Sequence, residues 1–141
     1  MATCSELINA RIPDNAGEDS ISFLPALLGK FDIPNRPTIV NHSSAGRFAI
    51  REGTWKLSLC PGSGGWALPK DEEAIQQGLP SLQLHDLAQD PAEATNLQAT
   101  RPDIVNRLKA RLRTEIANGR STPGTTQAND VPVKIEALAS E

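Results

Sequence analysis

From Pro37 to Cys60 apolar and polar positions alternate with a period of two, and the alternation predicts three short strands. Val40 and His42 share one face of the first, Phe48 and Ile50 a face of the second, and Trp55, Leu57 and Leu59 a face of the third. Ser43 to Gly46 and Glu52-Gly53 read as the turns, the second a two-residue loop whose glycine is free to take positive φ. Leu82 and Leu84 point one way in a fourth strand at Ser81 to Leu87. A meander with one apolar face is not stable alone and needs a cover. The cover comes after Thr100: Ile104, Leu108, Leu112 and Ile116 recur every fourth residue beside Val105, while Arg107, Lys109, Arg111 and Arg113 take the wet side. Thr100 caps this helix, Pro102 sits in its first turn and Gly119 stops it. The expected class is α+β, a small four-stranded antiparallel sheet packed against a C-terminal helix.

The flanking pattern is weaker. Leu7 and Ile8 belong to a helix already under way at the start and ended by Ile12-Pro13-Asp14, which reads as a chain cut from a larger one. Asp19 or Ser20 is placed to cap a second short helix through Leu28, with Phe23, Leu24, Leu27 and Leu28 as its apolar stripe and Gly29 as its stop. Lys30 to Arg36 reads as an extended connection. Between Cys60 and the fourth strand the turn formers PGSGGWALPKDEEAIQQGLP read as a long surface loop, with Asp71, Glu72 and Glu73 as solvent-facing charge. Residues 1–121 then form the folded region. Residues 122–141, rich in Ser, Thr, Pro, Gly, Gln and Asn, read as a flexible, disordered tail with at most an edge strand at Val131 to Ile135.

Composition narrows the function classes. The chain has 141 residues, 22% of them charged, and a net charge of -3, which argues against a nucleic-acid partner. No apolar run is long enough to span a bilayer, and the start lacks the layout of a secretion signal, so no membrane partner is expected and the compartment stays open. Cys4 and Cys60 stand far apart in no ligand-like spacing, and two small apolar side chains describe them best.

Several residues invite a chemical reading. Cys60-Pro61-Gly62-Ser63-Gly64 has the look of a nucleophile turn or an anion nest, but Trp66 and Ala67 follow where a phosphate loop needs lysine and a hydroxyl, and Pro61 precedes Ser63 where a nucleophile elbow needs glycine. A plain loop is the expectation. His85 and Asp86 are neighbours on a strand and point to opposite faces, so they do not share a metal. A Ser63-His42-Asp86 assembly rests on no spacing rule. Asp86, Asp90, Glu93 and Asn96 lack the alternation and central glycine of a calcium loop and are better read as turn and capping residues. Asn41-His42-Ser43 fits a glycosylation sequon. His42 holds the most interest, because it ends a strand just before Ser43-Ser44, where a side chain can look into a cleft.

Taken together, Asn15 to Lys30, His42-Ser43, Phe48-Ala49-Ile50-Arg51, Gly53 with Trp55-Lys56-Leu57, Cys60 to Trp66, and Leu84-His85-Asp86-Leu87 with Asp90-Pro91, Glu93 and Asn96-Leu97 resemble the C-terminal subdomain of the arylsulfatase A-like sulfatases. The resemblance covers most of the chain up to Ser121, and His85 stands where such enzymes usually carry tyrosine. It implies the sheet-and-helix fold that periodicity already gives. It also implies a parent sulfuric ester hydrolase that uses calcium and a formylglycine made in a Cys/Ser-x-Pro-x-Arg motif. That motif does not occur here: Cys60 has Pro61 one place early and no arginine behind it. By resemblance the chain therefore carries no catalytic, metal or cofactor residue, and its partner is the family's N-terminal catalytic domain. What it would contribute is substrate contacts to a sulfate ester, with His42 the best placed, then Ser43 and Trp66. The alternatives are a non-enzymatic module binding a sulfated ligand or partner protein, and, more weakly, a serine hydrolase using Ser63.

Overall fold

The computed structural model describes residues 1–30 and 36–135. Most of the connection expected at Lys30 to Arg36, and residues 136–141 of the expected tail, lie outside the described residues. The elements are α1 (Ala2–Leu7), α2 (Leu24–Leu27), β1 (Ile39–His42), β2 (Phe48–Glu52), β3 (Trp55–Ser58), α3 (Asp71–Gln76), β4 (Gln83–Asp86) and α4 (Pro102–Asn118). None of the described helices is long and apolar enough to cross a membrane. The described residues group into two compact units, one drawn from Met1–Pro37 and Arg113–Pro132, the other from Thr38–Leu112 with residues 133–135.

In the second unit the four strands pair antiparallel in the order β1-β2-β3-β4, the predicted α+β meander. Val40 stands opposite Ile50, Ile50 opposite Leu57 and Leu57 opposite Leu84, so a row of apolar side chains crosses one face. Ile50, Leu57 and Leu84 are fully buried, as are Leu108 and Leu112 of α4. Each such side chain contributes on the order of 1.5–3 kcal/mol by leaving water. Two contacts tie α4 and the residue before it to the sheet: Arg107 of the helix pairs with Glu52 at 3.0 Å, and the guanidinium of Arg101, just ahead of it, lies 5.0 Å from the Trp55 ring centroid. The hairpin closes one residue later than the spacing predicts. Glu52 pairs with Trp55, so the loop is Gly53-Thr54 rather than Glu52-Gly53. Gly53 takes φ 60 and Thr54 keeps a negative φ, the pattern of a II′ turn with glycine first.

A sheet edge leaves backbone donors and acceptors open. At β4 a side chain closes it. Asn96 Oδ1 accepts from the Leu84 N–H at 3.0 Å, its Nδ2 donates to the Leu82 carbonyl at 2.8 Å, and the Leu97 N–H donates to the Leu84 carbonyl at 2.8 Å. Asp90 shapes the turn that delivers Asn96, accepting from the Thr95 N–H at 2.7 Å, and Glu93 pairs with Lys56 at 2.7 Å. Asp90 and Asn96 thus do the turn and capping work the sequence assigns to them, while the Glu93 carboxylate serves an ion pair instead.

In the first unit α2 is shorter than predicted. Asp19 and Ser20 do not cap it because both are engaged elsewhere: Ser20 Oγ accepts from the Ala2 N–H at 2.7 Å and Asp19 Oδ1 from the Ser121 N–H at 2.8 Å. Arg120, 9% exposed, is the hub of this unit. It donates to the Asp14 carboxylate at 3.1 Å and to the Thr125 and Thr122 carbonyls at 2.9 Å each, while the Thr122 hydroxyl donates to the Glu18 carbonyl at 2.6 Å. Within the segment predicted as a tail, Thr122, Thr125, Gln127 and Asn129 thus lie in hydrogen-bonded positions. No strand forms at Val131 to Ile135, where Pro132 removes a ladder donor.

Candidate functional site

The candidate residues fall on two neighbouring loops of the sheet unit. His42 ends β1 opposite Phe48, and the two rings meet edge to face with centroids 5.9 Å apart. Its ring is exposed, with Nδ1 3.2 Å from the Ser43 carbonyl oxygen. Ser43 opens the β1–β2 turn, and its Oγ accepts from the Arg47 N–H at 3.2 Å and the Ala45 N–H at 3.3 Å, which fixes the turn from within.

The glycine-rich loop after β3 lies against this turn. A Cβ on Gly64 would come within 3.2 Å of Ser43 Oγ, Arg47 Cβ and Cys60 Sγ, and one on Gly65 within 3.3 Å of Ser44 Oγ. Gly64 also takes φ 65, so glycine is required there twice over. Trp66 follows directly and is 89% exposed, with Leu68 beside it at 75%. The structure therefore puts the Ser43 turn and the loop carrying Trp66 side by side, with His42 at the turn's root.

What joins the two loops is a residue the sequence reading put in solvent. Asp71 is only 6% exposed; its Oδ2 accepts from Arg47 Nε at 2.8 Å, and its Oδ1 from the Gly62 and Gly64 N–H groups at 3.2 Å each. The nest that the glycines resemble is real, and its anion is the chain's own carboxylate. Asp71 begins α3, a helix absent from the predicted long loop. Its signals were present: three acids in the first turn, Glu73 reaching back to accept from the Lys70 N–H at 3.1 Å, and Gly78 at φ 67 beyond its end.

The other candidates are held in structural work. Cys60 is buried, its thiol donates to the Gly62 carbonyl at 3.3 Å, and burial first, then the Asp71 charge, pushes its pKa up, away from a reactive thiolate. Ser63 Oγ donates to the Ala67 carbonyl at 2.7 Å. Asp86 pairs with Trp55 at the opposite end of the sheet from His42, so no Ser63-His42-Asp86 assembly forms. His85 is buried with Nδ1 3.0 Å from the Thr95 carbonyl oxygen. The oxygens of Asp86, Asp90, Glu93 and Asn96 serve the Ala88, Thr95 and Leu84 N–H groups and Lys56, so they do not fit a calcium ion. Among the described residues no three His, Cys, Asp or Glu side chains gather to hold a metal.

No family model matches the chain. Among characterised proteins, the N-acetylgalactosamine-6-O-sulfatase of Bacteroides thetaiotaomicron is 30% identical over 118 residues, which are 79% of this chain and 21% of that protein. A solved sulfatase structure from work on the metabolism of multiple glycosaminoglycans by the same organism matches with a TM-score of 0.62 and 30% identity, over 80% of this chain and 23% of that one. The chain thus spans about a fifth of the length of the relatives it matches. Sequence motifs, relative and solved structure agree: about four fifths of this chain is similar to a part of a sulfatase, as the motifs lead one to expect.

Proposed function

We propose that this chain forms one wall of the substrate cleft of a sulfuric ester hydrolase, while the bond-breaking groups lie on the remainder of that enzyme. The observation that carries the reading is the exposed edge made by His42, Ser43 and Trp66 on two loops locked together, in a chain related to sulfatases. An imidazole and a hydroxyl there can hydrogen-bond sulfate or sugar oxygens, and the indole offers a flat apolar face. The chain lacks the Cys/Ser-x-Pro-x-Arg sequence, and Asp86, Asp90 and Glu93 are committed to turns and an ion pair, so calcium and formylglycine belong to the N-terminal catalytic domain in this reading. Leu7, Ile8, Phe23, Leu27 and Leu28, all more than half exposed, supply an apolar surface for docking that domain. A sulfated amino sugar is the first substrate class to try, given the relative's name.

The test is a chimera in which residues 1–121 replace the matching segment of the Bacteroides enzyme. The expected result is retained sulfate release, with His42→Ala and Trp66→Ala each raising KM several-fold and changing kcat little. Unchanged KM in both variants would contradict the cleft reading. Tight binding of a sulfated glycan by the isolated chain would instead favour a self-sufficient binding module.

A further inference from the structure

We propose that Asp71 is the positioning residue of this edge: its carboxylate sets where Trp66 stands relative to Ser43. The inference rests on the reading of that edge as substrate-facing, but the positioning can be measured without substrate. The bonds divide into two classes. Ser63 Oγ to Ala67, the Ser63 N–H to the Pro69 carbonyl, and Gln83 Nε2 to the Cys60 and Gly62 carbonyls at 3.0 and 2.6 Å fix the glycine loop's own shape and its seat on β4. The Asp71 carboxylate bridges that loop to Arg47, two oxygens serving three donors.

Arg47 is the residue whose N–H and carbonyl both bond Ser43, the carbonyl accepting from the Ser43 N–H at 2.9 Å. A path of direct bonds therefore runs from the turn of Ser43, through Arg47 and Asp71, to Gly64, two residues before Trp66. Gly62 belongs to the device as well: a Cβ there would lie 2.7 Å from the Lys70 and Pro69 carbonyl oxygens, so only glycine lets its N–H reach the carboxylate. Burial of Asp71 and of the two glycines makes the bonds between them count, because an orphaned donor or charge in a dry site loses its full solvation. Removing the carboxylate leaves the loop its shape and takes away its registration against the turn.

The experiment uses the full 141-residue chain, isotopically labelled, with the Trp66 indole N–H assigned by comparison with Trp55→Phe. In Asp71→Ala the exchange protection of the Gly62 and Gly64 amides falls about tenfold or more, the scale of one lost hydrogen bond. The Trp66 indole order parameter falls with it, while the Leu57 amide stays protected. Asp71→Asn, which folds more safely, keeps an oxygen for the two glycines and cannot accept from Arg47. It retains glycine protection, loses the slowly exchanging Arg47 Nε–H signal, and loosens Trp66 part of the way. Trp66 as ordered as in the unaltered chain in both variants would overturn the proposal, whatever the chimera does. If Trp66 loosens while the chimera's KM ignores His42→Ala and Trp66→Ala, the positioning stands and the substrate-edge reading falls.

Discussion

Replacing Asn96 by alanine tests whether a side chain, in place of a further strand, finishes the sheet. In the structure Asn96 serves three backbone groups: the Leu84 N–H at 3.0 Å, the Gln98 N–H at 3.0 Å and the Leu82 carbonyl at 2.8 Å. A neutral hydrogen bond nets about 1 kcal/mol, and water can reach the exposed Gln98 amide once the side chain is gone. The two bonds to the β4 edge set the cost, about 2 kcal/mol, or a fall in Tm of roughly 6–8 °C for a chain of this length. Asn96→Asp keeps the acceptor for Leu84 and loses the donor to Leu82, so it should cost about half as much. Urea unfolding of the three proteins gives the ordering, and exchange of the Leu84 amide locates it: protection should drop in the alanine variant and persist in the aspartate variant. An alanine variant within about 0.5 kcal/mol of the unaltered chain would refute the edge-cap reasoning.

Further outcomes follow from other parts of the molecule. Leu108→Ala empties a fully buried position between α4 and the sheet and should cost about 2–5 kcal/mol by chemical denaturation. Lys56→Met breaks a half-exposed ion pair with Glu93 and should cost at most about 1 kcal/mol, a difference that shrinks in high salt. With a thiol-specific reagent at neutral pH, one group per native chain, Cys4, should react quickly, and Cys60 should join only on unfolding, since burial and the nearby Asp71 charge raise its pKa above the ordinary 9.0. The Asp14 carboxyl lies below its ordinary 3.8 because the Thr125 hydroxyl and N–H bond its charged form, with Arg120 adding to this. A depressed acid stabilises above its unfolded pKa and loses that contribution as pH falls through the folded one, so the Thr125 amide should keep its protection at and above the ordinary 3.8 and lose it only as pH falls further.

How far the sequence discloses this arrangement depends on the range of the interaction concerned. The strands and α4 are legible because Ile50, Leu57, Leu84 and Leu108 repeat at the period of their own element. The hairpin slips by one because Glu52-Gly53 and Gly53-Thr54 both contain the glycine a tight loop needs, and the choice between them is made by the Glu52–Trp55 pair across the strands. α3 escapes because six helical residues between glycine- and proline-rich segments carry too little periodicity to stand out. The burial of Asp71 is invisible in sequence for a different reason. Its partner Arg47 lies 24 residues away, and no local rule announces that a carboxylate will fill a nest made by glycines upstream of it. Trp66 stands among turn formers, with only Leu68 at strand spacing and that residue itself exposed, so no apolar face forms to cover the indole. The resemblance to sulfatases rests on motifs rather than on the site, since the Asp-Pro-x-Glu-x-x-Asn run does three jobs here (turn, ion pair and edge cap) that geometry explains and that say nothing of sulfate.

The division of labour between this chain and the rest of a sulfatase is tested most directly by incubating the purified 141-residue protein with an aryl sulfate and with 6-sulfated N-acetylgalactosamine, with and without calcium, and measuring released sulfate. The account predicts no release above the uncatalysed background under any of these conditions. Calcium-dependent turnover by this chain alone, abolished by a substitution within it, would contradict the account.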